Sequence, residues 1–254
     1  LRIRRFGVQI PTGVPMKPFA TQRVFSLQGD MKNLLIIIPA YNADKTLAGL
    51  VNEIKSVMLE QVGWCFEVLL VDDGSTDQTA QIAMTLGIRT ITHPRNFGKG
   101  AAIRTAFEVA RDLQIDALMT LDADLQHPPP SIVDFLQLYD QNKPDLIIGK
   151  RQLSRAMPAI RRLSNYLTSR MLSLKTGLEL SDTQSGYRLI KPAALERVQL
   201  KTSHFETESE LLIKFARQGA DIRFVDIPTV YHDGGSHIKH FADTLRFMRM
   251  FLTT

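Results

Sequence analysis

The sequence predicts an α/β protein whose mostly parallel central sheet is covered by helices on both faces. Short β-branched runs alternate with stretches of helical period from Met31 to Gly149, the pattern of repeated β-α units. Polar clusters fall directly after those runs, where ligands bind in such sheets. No apolar run approaches the roughly 18 to 20 residues that span a bilayer.

The first strand is Leu34–Ile38, and Leu47, Leu50, Val51, Ile54, Val57 and Met58 then repeat on one helical face. A strand at Phe66–Val71 and a helix near Asp77–Leu86 follow. Next come a short strand at Ile88–Ile91, a helix at Gly98–Leu113, a strand at Ala117–Leu121, a helix after Pro130 and a strand at Leu146–Gly149. Beyond residue 150 the pattern changes to a basic helical stretch, a turn-rich Asp182–Arg188 segment, a helix from about Glu206 and a short strand at Ile222–Val225. A C-terminal amphipathic helix, Ile238–Leu252, aligns Phe241, Leu245, Met248 and Leu252, with Arg246 and Arg249 nearby. That stripe suits either the domain core or a membrane surface.

Residues 1–30 hold three prolines, scattered arginines and no sustained period, so they are read as a disordered basic tail, with Met31 as the expected true start. The main domain is expected over 31–235 and the C-terminal helix over 236–254. Five of the 31 Lys and Arg and one of the 26 acids lie in the tail, which leaves a nearly neutral body and no support for nucleic-acid binding. The single cysteine, Cys65, excludes a disulfide framework and a cysteine-based zinc site. A reducing, cytoplasmic setting is expected.

Three strand ends carry candidate chemistry: Pro39-Ala40-Tyr41-Asn42, Asp72-Asp73-Gly74-Ser75-Thr76-Asp77 and Asp122-Ala123-Asp124-Leu125-Gln126-His127. Each alone is also ordinary turn and N-cap composition. Asp122 and Asp124, two apart in extended chain, can present carboxylates to one divalent ion, with Gln126 adding an amide oxygen. Such oxygen ligands suit Mg²⁺ or Mn²⁺ held together with substrate phosphates. His127, before three prolines, is read as a surface histidine. The loop Asn96-Phe97-Gly98-Lys99-Gly100 opens a helix, so its amides and Lys99 can face an anion, although it lacks Walker spacing. Between Lys150 and Leu178 stand seven basic residues and no acid, which implies an anionic partner.

In order and spacing these motifs resemble family 2 glycosyltransferases of the GT-A (nucleotide-diphospho-sugar transferase) fold, and among them the dolichyl-phosphate and polyprenyl-phosphate sugar synthases. The resemblance covers about Met31 to Gly235 and is most specific in Asp122–Pro128. It implies that Asp72 and Asp73, with Pro39, Tyr41 and Asn42, hold the base and ribose of a GDP- or UDP-linked sugar. Lys99 and Gly100 would meet its phosphates, and Asp122, Asp124 and Gln126 would hold the metal. Asp182-Thr183-Gln184-Ser185-Gly186-Tyr187-Arg188 resembles the family's acceptor-side motif, which places Asp182 and Gln184 near the sugar and gives Gln184 and Ser185 to acceptor binding. Where the family often has Glu after the Asn, this chain has Ala43 and then Asp44. Glu206 and Glu208 sit where related enzymes place active-site acids, although Ser203-x-x-Glu206 and Thr207-x-x-Glu210 also fit capping boxes.

The resulting expectation is an inverting, metal-assisted transfer of a sugar to a polyprenyl phosphate at the cytoplasmic face of a membrane. Arg151, Arg161 and Arg162 would clamp the acceptor phosphate. A phosphate nucleophile is already ionised, whereas a glycan or other hydroxyl acceptor would need Glu206 or Asp182 as base. The rival readings are a nucleotidyltransferase using the same carboxylates, a phosphoacceptor signalling domain built on Asp72 and Asp73, and a non-catalytic binding protein.

Overall fold

The computed structural model describes residues 31–151, 159–228 and 240–254, with backbone only at 159–161 and 240–241. The elements in order are β1 (Lys32–Ala40), α1 (Leu47–Leu59), β2 (Trp64–Asp72), α2 (Thr79–Thr85), β3 (Arg89–Thr92), α3 (Lys99–Ala110), β4 (Ala117–Thr120), α4 (Ile132–Asn142), β5 (Leu146–Arg151), α5 (Ala159–Thr176), β6 (Arg188–Ile190), α6 (Pro192–Leu195), α7 (Glu206–Arg217), β7 (Ile222–Ile227) and α8 (His240–Thr253). The expected tail at 1–30, and 236–239 of the expected C-terminal helix, lie outside the described residues.

The seven strands form one sheet in the order β3-β2-β1-β4-β6-β5-β7. All pairings are parallel except those of β6, which runs antiparallel to both β4 and β5. Alternation along the central strands sends Leu34, Ile36 and Ile38 into one apolar layer with α1 and α4, and Leu35 and Ile37 into the other with α3 and α7. Burial on both faces explains why these strands read as continuous apolar runs.

The reversed strand positions the site. Parallel strands β1, β2 and β4 deliver their carboxyl ends to one edge, and an antiparallel neighbour brings its beginning there. Register pairs Thr120 with Arg188, so the segment leading into β6 meets the end of β4. Thr120 Oγ1 donates to the Gly186 carbonyl at 2.7 Å and fixes that meeting.

Candidate active site

Asp72 and Asp73 close β2, and neither carboxylate faces open solvent. Asp72 Oδ1 accepts from Ser75 N–H at 2.9 Å. Asp73, 2 % exposed, contacts the His93 ring at 2.6 Å and accepts from the Phe97 and Gly98 backbone N–H groups at 3.0 and 2.7 Å. His93 in turn contacts Thr105 Oγ1 of α3 at 2.9 Å. The expected ribose-holding acid is therefore occupied in shaping the 96–98 loop.

The other expected donor contacts divide. Asn42, at φ 52°, accepts from Thr76 N–H at 2.9 Å and ties the β1 end to the β2 loop. Tyr41 is exposed, whereas Pro39 is buried within β1. Asp44 donates its backbone N–H to Asp77.

Gly98 adopts φ 99°, a conformation that glycine supplies without strain, and an added Cβ would lie 2.5 Å from the Ser203 carbonyl oxygen. At Gly100 a Cβ would come within 1.9 Å of Thr207 Oγ1. The loop is thus pressed against the start of α7, and Lys99 enters the site between them. Its Nζ lies 2.7 Å from Asp122 Oδ1 and 2.7 Å from Glu208 Oε1. Lys99 thus bridges two carboxylates. Burial alone would lower the Lys99 pKa, but Asp122 and Glu208 raise it above the ordinary lysine value. Burial would raise the Asp122 carboxyl, and the Lys99 ammonium holds it below the usual carboxylate range.

Asp124 is exposed, and its Oδ1 accepts from Gln126 N–H at 3.0 Å. Desolvation, then the nearby Asp122 charge, raises its pKa. Two carboxylates that disfavour each other's ionisation, one already drawn to a cation, make a donor set suited to a hard metal ion. Among the described residues no three His, Cys, Asp or Glu side chains gather as a complete metal cage. The protein would therefore supply Asp122 and Asp124, and a diphosphate could complete the shell.

His127 is not a surface residue: it is 3 % exposed and lies against Tyr187, with ring centroids 5.4 Å apart. Burial lowers its pKa to about 4, so the ring is neutral at pH 7. Among the described residues neither ring nitrogen has a hydrogen-bond partner.

On the acceptor side, Asp182 is paired with Arg151, with Nη2 2.7 Å from Oδ1, so both residues are engaged with each other. Burial would raise the Asp182 carboxyl, and Arg151 holds it below the carboxylate range. Ser185 is fully buried. Gln184 is exposed and donates to Thr168 Oγ1 of α5 at 3.3 Å. Arg162 is exposed on α5, and the Arg161 side chain lies outside the described residues.

The expected capping boxes do not form. The start of α7 has no side-chain cap; Glu206 Oε1 accepts from His204 N–H at 3.4 Å, and Glu206 Oε2 is buried without a partner among the described residues. Glu210 instead accepts from the Lys201 and Thr202 backbone N–H groups. Arg188, 1 % exposed, donates to the carbonyls of Thr183, Ser185 and Glu208 and fastens the 183–188 segment to α7.

Among the residues that sequence reading left without a committed role, Glu208 was flagged by position and Arg188 closed the quoted Asp182–Arg188 motif, whereas His93 carried no local signal. The contacts of His93 with Asp73 and of Arg188 with Glu208 each span 20 residues, a distance that only the fold closes.

α5 is inverted in polarity. It buries Asn165, Thr168 and Ser169 towards the Asp182–Gln184 loop and exposes Leu163, Tyr166, Leu167 and Leu174 beside Arg162 and Arg170. On α8, Met250 packs with Leu172 and Ile213, while Leu245, Met248 and Leu252 are exposed; the side chain of Phe241, the fourth member of the expected stripe, lies outside the described residues. Among the described residues no helix is long and apolar enough to cross a membrane.

The profile of the family described as Glycosyl transferase family 2 matches residues 35–199. The UDP-N-acetylglucosamine–dolichyl-phosphate N-acetylglucosaminyltransferase of Methanococcus voltae is 30% identical over 223 residues, covering 79% of this chain and 86% of that protein. The undecaprenyl-phosphate 4-deoxy-4-formamido-L-arabinose transferase of Pectobacterium carotovorum is 31% identical over 163 residues, covering 60% of this chain and 47% of that protein. In structure, the chain is similar to glucosyl-3-phosphoglycerate synthase from Mycobacterium tuberculosis in complex with Mn²⁺, UDP and phosphoglyceric acid. The TM-score is 0.70 at 21% identity, with 87% of this chain and 78% of that chain covered.

Proposed function

The chain belongs to glycosyl transferase family 2 and has the GT-A fold, and from that premise we propose that it transfers a sugar from a UDP- or GDP-linked donor to a polyprenyl phosphate, with inversion. The observation that carries the acceptor assignment is the inverted α5. Its polar face holds the Asp182–Gln184 loop, while its outer face combines exposed leucines with Arg162 and Arg170 and has no acid. A lipid-linked phosphate satisfies both halves of such a helix, and the exposed stripe of α8 supports a peripheral membrane contact. The two relatives named for dolichyl- and undecaprenyl-phosphate transfer agree with this reading.

In the proposed reaction an acceptor phosphate oxygen attacks the anomeric carbon, a new C–O bond forms, and the bond to the nucleoside diphosphate breaks with its electrons. Asp122 and Asp124 would hold Mg²⁺ or Mn²⁺, which would supply Lewis-acid stabilisation of the leaving diphosphate. Tyr41, Asn42 and the loop that begins at Asp73, which Ser75 and Thr76 bond to Asn42, line the donor side, where Asp73 acts by holding the 96–98 loop. Gln184 and Arg162 are the exposed groups available to the acceptor, with Arg161 beside them in sequence. Asp182, kept ionised by Arg151, is a weak base, which favours a phosphate nucleophile over a hydroxyl.

The test is transfer from nucleotide sugars to a short-chain polyprenyl phosphate, with donor and acceptor Michaelis constants measured separately. Replacing Arg161 and Arg162 by Gln should raise the acceptor constant about ten-fold or more and leave the donor constant unchanged. An unchanged acceptor constant, or equal use of a neutral hydroxyl acceptor by both proteins, would overturn the assignment.

A further inference from the structure

Lys99 occupies an unusual position for a residue at the mouth of a nucleotide-sugar site. Its side chain is 17 % exposed, and its ammonium touches Asp122 from β4 and Glu208 from α7, with no other element intervening. The contact is enclosed from the third side by main chain: a Cβ at Gly186 would lie 2.6 Å from Asp122 Oδ2 and 2.8 Å from Lys99 Nζ. Asp122 is also a carboxylate to which the proposed metal is assigned. Asp122 and Glu208, with side chains 22 % and 8 % exposed, share the Lys99 ammonium as their common contact.

We propose that Lys99 is a placeholder cation, which neutralises Asp122 and Glu208 until a divalent ion arrives with the donor and takes over Asp122. The ammonium then keeps Glu208 as its anchor and is released towards the donor diphosphate. Glu208 is thus a positioning residue that retains the lysine within reach. The arrangement makes the metal and Lys99 competitors for one carboxylate. Free metal ion binds weakly, and metal accompanied by a diphosphate binds well, because the diphosphate accepts the displaced ammonium. The order of loading is set by charge: the site resists a metal ion that comes without its nucleotide.

This inference rests on the metal-assisted reading above, and its experiment separates the two. Mn²⁺ binding is measured by the loss of the free-ion paramagnetic resonance signal, for wild type, Lys99→Met and Lys99→Arg, with and without UDP or GDP. Without nucleotide, Lys99→Met should bind Mn²⁺ about ten-fold tighter than wild type, the factor that follows from removing one competing charge-assisted hydrogen bond. Lys99→Arg, which keeps the charge, should gain no affinity. The gain from adding nucleoside diphosphate should be large in wild type and small in Lys99→Met. Equal Mn²⁺ affinity in wild type and Lys99→Met, with nucleotide-dependent binding intact, overturns the placeholder and leaves the metal reading standing. Absence of Mn²⁺ binding in every protein, with either nucleotide, overturns both. Should Lys99→Met fail to fold, wild type labelled with ¹³C at lysine Cε answers the same question. The Lys99 resonance should shift on addition of Mg²⁺ with nucleoside diphosphate, and a resonance that stays in place overturns the proposal.

Discussion

Arg151 and Asp182 are joined by three hydrogen bonds: Nη2 to Oδ1 at 2.7 Å, Nε to Oδ2 at 2.8 Å, and the Arg151 backbone N–H to Oδ2 at 2.9 Å. Asn165 of α5 donates a fourth, to Oδ1 at 3.0 Å. The end of β5, the loop before β6 and α5 are thereby fastened at one carboxylate. Arg151→Gln should cost about 3 to 5 kcal/mol, because it strands a buried charge without its partner. Arg151→Lys should recover little, since an ammonium cannot reproduce the forked contact. Urea unfolding of the three proteins at pH 7 measures both effects.

The same pair sets an acid limit on stability. The folded-state pKa of Asp182 lies below its unfolded value, so its contribution is complete above the ordinary carboxylate range near 4 and is lost as pH falls through the depressed value. Unfolding free energy of the wild type should therefore drop below about pH 4. The Arg151→Gln profile should drop less, and the two curves should converge towards pH 2, as followed by urea titrations at each pH.

Asp124→Asn should lower turnover by about a hundredfold or more, since the substitution removes a proposed metal ligand. It should leave the melting temperature unchanged or slightly higher. The side chain is exposed, and the folded state raises its pKa, so losing the charge relieves repulsion from Asp122 at pH 7. A variant with near-normal turnover in Mg²⁺ or Mn²⁺ would remove Asp124 from the metal site.

His93→Ala should cost about 2 kcal/mol through a lost buried hydrogen bond and a small void. It should also raise the donor Michaelis constant more than it lowers kcat. The histidine touches no proposed substrate position; it acts through Asp73, whose remaining partners are the Phe97 and Gly98 N–H groups. Steady-state kinetics with donor varied at saturating acceptor separates the two parameters.

The sheet was legible because its central strands are buried on both faces, so β1, β2, β4 and β5 appear as apolar runs within a few residues of their observed bounds, whereas the edge strands β3 and β7 are mixed in sequence and only partly buried. β6 was not: at three residues, Arg188–Ile190, it is too short to show a period, so the antiparallel insertion and the junction of Thr120 with Gly186 stayed hidden. The strand-end clusters were placed correctly at one edge. What each carboxylate does there depends on partners far along the chain. Asp73 is taken up by a loop 24 and 25 residues on, Asp122 by Lys99, and Asp182 by Arg151. His127 was misread because three following prolines suggested a surface turn, while the packing of Tyr187 over the ring buries it.

The approach of Gly186 to Asp122 and Lys99 has a bearing on how this enzyme can be altered. A pocket walled by side chains can be enlarged or narrowed by exchanging them, but at Gly186 the wall is main chain, and any side chain there collides with the charged pair. The same holds at Gly98 and Gly100, where backbone meets backbone and the threonine of α7. Diversifying these three positions would yield inactive or unfolded proteins almost without exception. The editable part of the proposed site is its open rim, Tyr41, Gln184 and Arg162, whose residues are exposed. Laboratory evolution towards another sugar or carrier would have to travel along that rim.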